Sequence, residues 1–222
     1  MNSNGNHAPK SCDSLQHSLG PLVVVGGHSR KIGKTSVIEA LLRQTAHLDW
    51  TALKISAHRH STYREEPFQL AVEASPGAHC DTARYLRAGA TRALWLRANA
   101  FQLPAGVPAA LQQLPERGKV LIESNRILDF VSPCLFLIVL DFSVGDFKES
   151  TRKHFHRADA FVVVERPGLE PPWEELPLER MRKMPVFHVS PGNYHSERLA
   201  RFVEDAVTPR PTVSTPDAHP SR

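Results

Sequence analysis

Residues 23–42 have the sequence VVVGGHSRKIGKTSVIEALL, in which an aliphatic run leads into a glycine-rich loop and then into a helical pattern. The common phosphate-binding pattern is G-x-x-x-x-G-K-[ST]. Here Gly27 is followed by five residues and then by Gly33, Lys34 and Thr35, so the loop is one residue longer. A bare G-K-T is common, but one placed between an aliphatic strand and an amphipathic helix is not. The stretch therefore predicts a strand, a phosphate-binding loop and a helix.

This loop has the chemistry that a triphosphate and its metal ion require. Its backbone N–H groups should form an anion nest, and the helix that follows adds the positive end of its dipole. We expect the ammonium of Lys34 to reach the β- and γ-phosphates and the hydroxyl of Thr35 to ligate Mg²⁺. Gly33 is expected because a Cβ there would crowd the phosphates. The predicted nucleotide-binding residues of the loop are Gly27, His28, Ser29, Arg30, Lys31, Ile32, Gly33, Lys34, Thr35 and Ser36.

Two further cations, Arg30 and Lys31, lie in the same loop. They can contact the phosphates of their own chain, reach those of a partner subunit, or remain solvated. Because Lys34 already serves its own phosphates, these cations are available to act across a subunit interface.

The rest of the chain alternates apolar runs with helical patterns, which predicts an α/β fold: a mostly parallel sheet with helices on both faces. We expect residues 21–206 to form one P-loop nucleotide-binding domain, and residues 1–20 and 207–222 to be disordered tails. Residues 58–79 and 166–184 do not fit the alternation. The predicted strands are residues 22–25, 51–56, 92–96, 119–122, 135–140, 160–164 and 186–189, and the predicted helices are residues 34–47, 81–88, 108–116, 148–157 and 195–206.

Composition limits the function classes. The 222 residues are 41% hydrophobic, enough for a core, and the net charge of +4 is too small to favour nucleic acid as a partner. Three cysteines without C-x-x-C spacing make a disulfide framework unexpected. The sequence contains no pattern of a signal peptide or membrane span. We therefore expect a cytoplasmic protein.

P-loop proteins usually hold their metal ion with an acid at the end of an apolar strand. Three acids qualify here, namely Glu123, Asp141 and Glu165. Only one or two of them can face the phosphates, and each taken alone is better explained as a solvated carboxylate at the end of a strand.

Several segments resemble known families. The loop spacing resembles that of dethiobiotin and cobyrinate synthetases, in the signal-recognition/MinD class of P-loop proteins. Three other segments resemble the molybdopterin-guanine dinucleotide biosynthesis adapter family, MobB. They are Leu53-Lys54-Ile55 followed by His58 and His60, the run DTARYLRAGA at residues 81–90, and VLIE at residues 120–123. The chain departs from that family where Ser124-Asn125 replaces a glycine, and it contains no Asn-Lys-x-Asp motif.

The resemblance implies roles for particular residues. It favours Glu123 as the acid near Mg²⁺, so that Thr35 and Glu123 hold the metal and Lys34 and Glu123 act in catalysis. It also gives Asp81 a role near the nucleotide, although a helix N-cap explains that residue equally well. Apart from the resemblance, Lys54 ends a predicted buried strand on the ligand side, where it can bind an anion or form a salt bridge with a neighbouring acid.

Because two subunits of the signal-recognition/MinD class often face each other across their nucleotide sites, the resemblance and the loop composition together predict a homodimer in which Arg30 and Lys31 act across the interface.

The resemblance also implies a function: a GTP-binding accessory protein with slow Mg²⁺-dependent hydrolysis, whose partner is a molybdenum-cofactor nucleotidyltransferase. Two alternatives stay open. One is an ATP-dependent synthetase or kinase similar to dethiobiotin synthetase, and the other is a non-catalytic, nucleotide-responsive interaction module. A zinc site at His58, His60, His79 and Cys80 is a further hypothesis, although its spacing matches no familiar finger.

Overall fold

The computed structural model describes residues 18–57, 68–173 and 178–208. Its centre is an eight-stranded sheet in the order β3-β4-β2-β5-β1-β6-β7-β8. Neighbouring strands are parallel except β3, which pairs antiparallel with β4 at one edge. The strands are β1 Leu22–Gly27, β2 Thr51–Ala57, β3 Gln69–Val72, β4 Arg92–Ala98, β5 Val120–Glu123, β6 Leu135–Asp141, β7 Ala160–Val164 and β8 Val186–Val189.

Helices cover both faces of this sheet. They are α1 Lys34–Gln44, α2 Asp81–Arg87, α3 Leu103–Gln112, α4 Glu149–His154, α5 Leu178–Lys183 and α6 Glu197–Val207. Short 3₁₀ helices follow at Ala46–Leu48, Arg126–Asp129 and Phe155–Arg157. The chain therefore has the predicted α/β architecture, with the sheet order and loop of a P-loop NTPase fold.

The central strand β1 shows why both faces must be covered. All six of its residues are buried. Because side chains alternate along a strand, Leu22 and Val24 pack into one hydrophobic cluster with α3, while Val23 and Val25 pack into another with α1 and α6. A strand that is apolar throughout is thus explained by two cores, one on each side.

Topology also places the site. β1 lies between β5 and β6, and the chain passes from β1 through α1 to β2, which lies beyond β5. Parallel strands deliver the loops at their carboxyl ends to one edge of the sheet, where ligands bind in folds of this class. The ends of β1, β2 and β5 meet at that edge.

Some predicted elements differ from those observed. The helix predicted at residues 108–116 is α3, which begins earlier, has a proline in its first turn and contains Pro108 inside it. A proline is favoured at a helix start, and in α3 that position is held by the first of its two prolines. The strand β3 and the helix α5, within the two stretches that resisted interpretation, were not predicted.

The two predicted tails lie mostly outside the described residues. Where the structure begins, Leu19 forms an antiparallel bridge with Glu116, and the N–H of Arg117 donates to the carbonyl of Ser18. None of the helices in the described ranges is long and apolar enough to cross a membrane.

Candidate functional site

A cleft of about 850 Å³ opens at the carboxyl ends of β1, β2 and β5. The loop contributes residues 30–36 to its lining, and Lys54, Asp81 and Glu123 line it as well. Segment 146–150, between β6 and α4, forms another part of its wall. Most of the predicted site residues therefore share one cleft, although they come from four separate stretches of sequence.

The bend of the loop depends on Gly33, which precedes α1 with φ +90°. A Cβ at this position would lie 2.7 Å from the ring of Tyr194. Glycine is therefore favoured by its left-handed backbone and by an aromatic neighbour. That a Cβ would also crowd the phosphates stays a prediction. Lys31 also has a positive φ, of 57°.

Lys34 lies over the middle of the loop. Its Nζ donates to the carbonyl of Ser29 at 2.6 Å. Burial, followed by the nearby charge of Lys148, lowers the pKa of Lys34 to about 8. A buried cation beside other cations favours a bound anion, which would offset both effects.

Glu123 is the centre of a polar cluster at the bottom of the cleft. Its Oε2 accepts hydrogen bonds from Thr35 Oγ1 at 3.1 Å, from Lys54 Nζ at 3.2 Å and from the hydroxyl of Tyr85. Lys54 also pairs with Asp81. Burial and the charge of Glu123 raise the pKa of Tyr85 well above its ordinary value, so the tyrosine stays a donor. The cluster joins α1, β2, α2 and β5.

Asp81 is the first residue of α2, whereas the N-cap position belongs to Cys80. The N-cap alternative for Asp81 is thus off by one residue. Asp81 instead lies between Lys54 and Arg84, whose NH1 is 3.5 Å from Asp81 Oδ1. Arg84 extends the network to α1, where it contacts Glu39 at 2.5 Å. The alternative of a salt bridge at Lys54 is present in the structure.

The other two strand-end acids lie elsewhere. Asp141 forms a two-pronged ion pair with Arg166 and also accepts from the N–H and hydroxyl of Ser143. Glu165 is exposed and lies 2.8 Å from His188. Neither lines the cleft. Of the three acids, only Glu123 contacts Thr35.

Three further loop residues that the sequence predicts to bind the nucleotide, Gly27, His28 and Ser29, are not part of the cleft lining. The ring of His28 is buried, with Nδ1 2.8 Å from the carbonyl of Asp146 and Nε2 accepting the N–H of Asp141 at 3.1 Å. Because a carbonyl only accepts, Nδ1 carries the proton. Burial lowers the pKa of His28. This side chain therefore packs and braces the loop from behind.

Asn125 is a site residue that the sequence did not reveal. Its side chain accepts from the N–H of Gly27 at 2.8 Å and donates to the carbonyl of the same residue at 3.0 Å. It also donates to Thr151 Oγ1 at 2.7 Å. Both backbone groups of Gly27 are thereby satisfied by one amide, which fixes the start of the loop to the end of β5. The only sequence signal was the departure from glycine after Glu123.

The residues present fit a magnesium ion. Mg²⁺ prefers hard oxygen ligands and takes few of them from the protein. A threonine hydroxyl and a carboxylate 3.1 Å apart, at the start of α1 and the end of β5, supply two such ligands. Thr35 and Glu123 are therefore the residues that would hold the ion.

The zinc hypothesis does not gain support. His58 and His60 lie outside the described residues. The Sγ of Cys80 instead donates a hydrogen bond to Glu73 Oε2 at 2.9 Å and lies 3.2 Å from Thr82 Oγ1. Within the part of the chain that the structure describes, no group of three or more His, Cys, Asp or Glu side chains could hold a metal ion.

Arg30 and Lys31 are exposed at the rim of the cleft. Their action on a partner subunit, and the homodimer it requires, stay predictions.

Comparison with protein-family models finds no match for this sequence. Comparison with curated proteins finds none either. Among solved structures, the chain is similar to LpxK from Aquifex aeolicus in complex with ATP, with TM-score 0.46 and 19% identity over 76% of this chain and 53% of LpxK. It thus spans about half the length of LpxK.

Two other solved structures are similar to this chain. HypB from Helicobacter pylori, in complex with nickel, has TM-score 0.46 and 13% identity over 87% of this chain and 90% of HypB. Bacillus subtilis MobB has TM-score 0.39 and 17% identity over 86% of this chain and 99% of MobB. The fold of this chain is established by its own sheet order and loop.

Proposed function

We propose that this chain binds a nucleoside triphosphate with Mg²⁺ in the cleft and acts as a GTP-binding accessory protein with slow hydrolysis. The observation that carries the proposal is the convergence of Lys34, Thr35, Lys54, Asp81 and Glu123 on one cleft beside the loop. A strand–loop–helix alone supports anion binding. A buried acid placed against the threonine after the loop lysine supports a metal-bound triphosphate.

Each side chain has a distinct task in this proposal. The loop N–H groups and Lys34 bind the phosphates, and Thr35 and Glu123 hold the ion. When bound, Mg²⁺ neutralises charge on the phosphate oxygens. Lys54 and Tyr85 donate to Glu123 Oε2 and thereby fix the orientation of the carboxylate.

Slow turnover follows from the same contacts. Glu123 is buried and contacts Thr35, and three donors converge on its Oε2. A carboxylate that holds the ion and accepts these hydrogen bonds is poorly placed to take a proton from an attacking water. The cluster therefore favours a protein that holds its nucleotide over one that hydrolyses it quickly.

The finer assignment follows from resemblance. The segments that resemble the MobB family supply Lys54, Asp81 and Glu123, and these three residues form one ion-paired cluster in the cleft. We therefore propose GTP as the nucleotide and a molybdenum-cofactor nucleotidyltransferase as the partner. The proposal places the protein in the cytoplasm.

Calorimetry with GTP, ATP, GDP and ADP, each with and without Mg²⁺, tests the proposal. We expect Mg²⁺-dependent binding that favours GTP, and at least a tenfold loss in Lys34→Ala because the loop cation is removed. Lys183→Ala, which changes an exposed lysine on α5, should bind as the wild type does.

Three outcomes would count against it. Unchanged nucleotide affinity in a folded Lys34→Ala variant would contradict the assignment of this loop as the phosphate site. A preference for ATP would favour the synthetase or kinase alternative. Tight binding without any turnover, even with the partner enzyme present, would favour the non-catalytic module.

A further inference from the structure

The segment between β6 and α4 is attached to the back of the phosphate loop. Asp146 accepts from His28 Nδ1 through its carbonyl at 2.8 Å and from Ser29 Oγ through Oδ2 at 2.7 Å. The N–H of Lys148 donates to the carbonyl of His28 at 2.8 Å. Phe147 stacks on the ring of His28, with 5.4 Å between ring centroids. The backbone that carries Lys148 is therefore fixed to the loop.

The side chain of Lys148 lines the same cleft as Lys34. Within the described ranges its ammonium has no hydrogen bond or ion pair to a carboxylate, unlike Lys54, which pairs with Asp81 and Glu123. Burial, and then the charge of Arg30, lower the pKa of Lys148. Chain segments rarely bring unpaired cations together in a half-buried cleft without an anion to receive them.

The position of Lys148 along the cleft identifies the part of the ligand that it meets. Lys148 lines the cleft together with Lys34, Thr35 and Glu123. Its neighbouring charges are those of Arg30, Asp146, Glu123 and Lys54. Of the charges near Lys34, that of Lys148 lowers the pKa of Lys34 most. In P-loop proteins the metal ion bridges the β- and γ-phosphates. Because Lys148 lies near both Glu123, the acid that would hold the metal ion, and Lys34 of the loop, we expect its ammonium to lie near the terminal phosphate.

We propose that Lys148 binds the terminal phosphate of the nucleotide within its own chain, so that the β6–α4 segment is part of the phosphate site. This inference rests on the proposed function. Because its backbone is fixed to the loop, Lys148 offers a positive charge with little reorganisation when the triphosphate arrives. The residue thereby distinguishes a triphosphate, which carries the terminal group, from a diphosphate, which lacks it.

Calorimetry on Lys148→Met tests this, with the non-hydrolysable imido analogue of the triphosphate that the wild type binds and with the matching diphosphate. We expect at least tenfold weaker binding of the triphosphate analogue and less than about a threefold change for the diphosphate. Lys148→Arg, which keeps the charge, should recover most of the loss. Lys153→Met is the control, because Lys153 is an exposed lysine on α4 that pairs with Asp129 at 2.5 Å; it should change neither affinity.

Lys148→Gln provides a second neutral variant if Lys148→Met does not fold, since the contact to His28 uses only the backbone N–H. Equal losses for both nucleotides would overturn the inference, because they indicate a general electrostatic effect. Unchanged binding of the triphosphate analogue would overturn it as well, while leaving the proposed function in place. A wild type that binds no nucleotide would overturn both.

Discussion

Two buried carboxylates flank the central strand β1, and they differ in what they contact. Glu123 ends β5 on one side of β1, and Asp141 ends β6 on the other. Their side chains are 8% and 3% exposed. From burial and strand position alone the two are equivalent, yet only Glu123 lies in the cleft.

The register of the sheet explains the difference. Glu123 is level with Val25, two residues before the end of β1, so its side chain lies beneath the loop. Gly27, the last residue of β1, is level with Val139, which leaves Asp141 two residues beyond the strand pair. There Arg166 and Ser143 take up its oxygens. Whether a strand-end acid belongs to the site thus depends on the register of its strand and on whether other residues already occupy its oxygens. Burial alone does not distinguish the two acids.

The sharpest test of this comparison changes each acid to its amide. Glu123→Gln removes the charge proposed to hold Mg²⁺, so we expect Mg²⁺-dependent nucleotide affinity to fall at least tenfold. Asp141→Asn replaces an acceptor that faces Arg166, so we expect the free energy of unfolding to fall by about 1–3 kcal/mol with little change in affinity. Calorimetry at several Mg²⁺ concentrations and urea denaturation measure the two effects.

The distinction between the two acids would be wrong if Asp141→Asn lowered the affinity and Glu123→Gln lowered only the stability. A larger loss of Mg²⁺-dependent binding in Asp141→Asn would show that the acid of β6 serves the ion.

The part of the site that could be predicted from the sequence consists of residues that lie close together along the chain. Strand, glycine loop, lysine and threonine follow one another in residues 23–42, so their spacing alone indicates their joint task. The choice among Glu123, Asp141 and Glu165 needed the order and register of strands far apart in sequence. Only the resemblance supplied that information, and the contact between Thr35 and Glu123 agrees with it.

The second test concerns Asn125, on the same side of β1 as Glu123. Asn125→Ala removes two hydrogen bonds to Gly27 and one to Thr151. We expect the free energy of unfolding to fall by about 1–3 kcal/mol, and nucleotide affinity to fall several-fold because the loop loses its attachment to β5. Urea denaturation and calorimetry measure these changes.

Asn99→Ala is a matched control, since Asn99 accepts from the N–H groups of Phe101 and Gln102 before α3, away from the cleft. It should lower stability without changing affinity. If Asn125→Ala binds nucleotide as tightly as the wild type, the attachment serves the fold only.

Other parts of the molecule were beyond prediction because their causes are distant. His28 occupies a position in the loop where the sequence indicates contact with phosphate. Its ring is instead enclosed by Phe147 and by Trp173, whose ring centroid is 4.5 Å away, and both residues lie more than a hundred positions further along the chain. The edge strand β3 has only four residues, of which the last two are exposed and the first two partly buried. It is therefore too short to show the alternating apolar pattern that indicates a strand.

The last and smallest expected effect is the pH dependence of stability on the Asp141 side of β1, where His28 accepts the N–H of Asp141. Burial lowers the pKa of His28 below its ordinary 6.5, so the unfolded chain takes up a proton before the folded protein does. The stabilisation is complete above pH 6.5 and is lost as the pH falls through the folded pKa, by at most about 1.4 kcal/mol per pH unit. His28→Gln can keep both hydrogen bonds without titrating, so urea denaturation at pH 7.5 and 5.5 should show a smaller loss on acidification than in the wild type. His156→Gln, which changes an exposed histidine, should keep the wild-type loss. If His28→Gln loses as much stability on acidification as the wild type does, His28 contributes nothing to the acid sensitivity of the protein, and its ring braces the loop through packing alone.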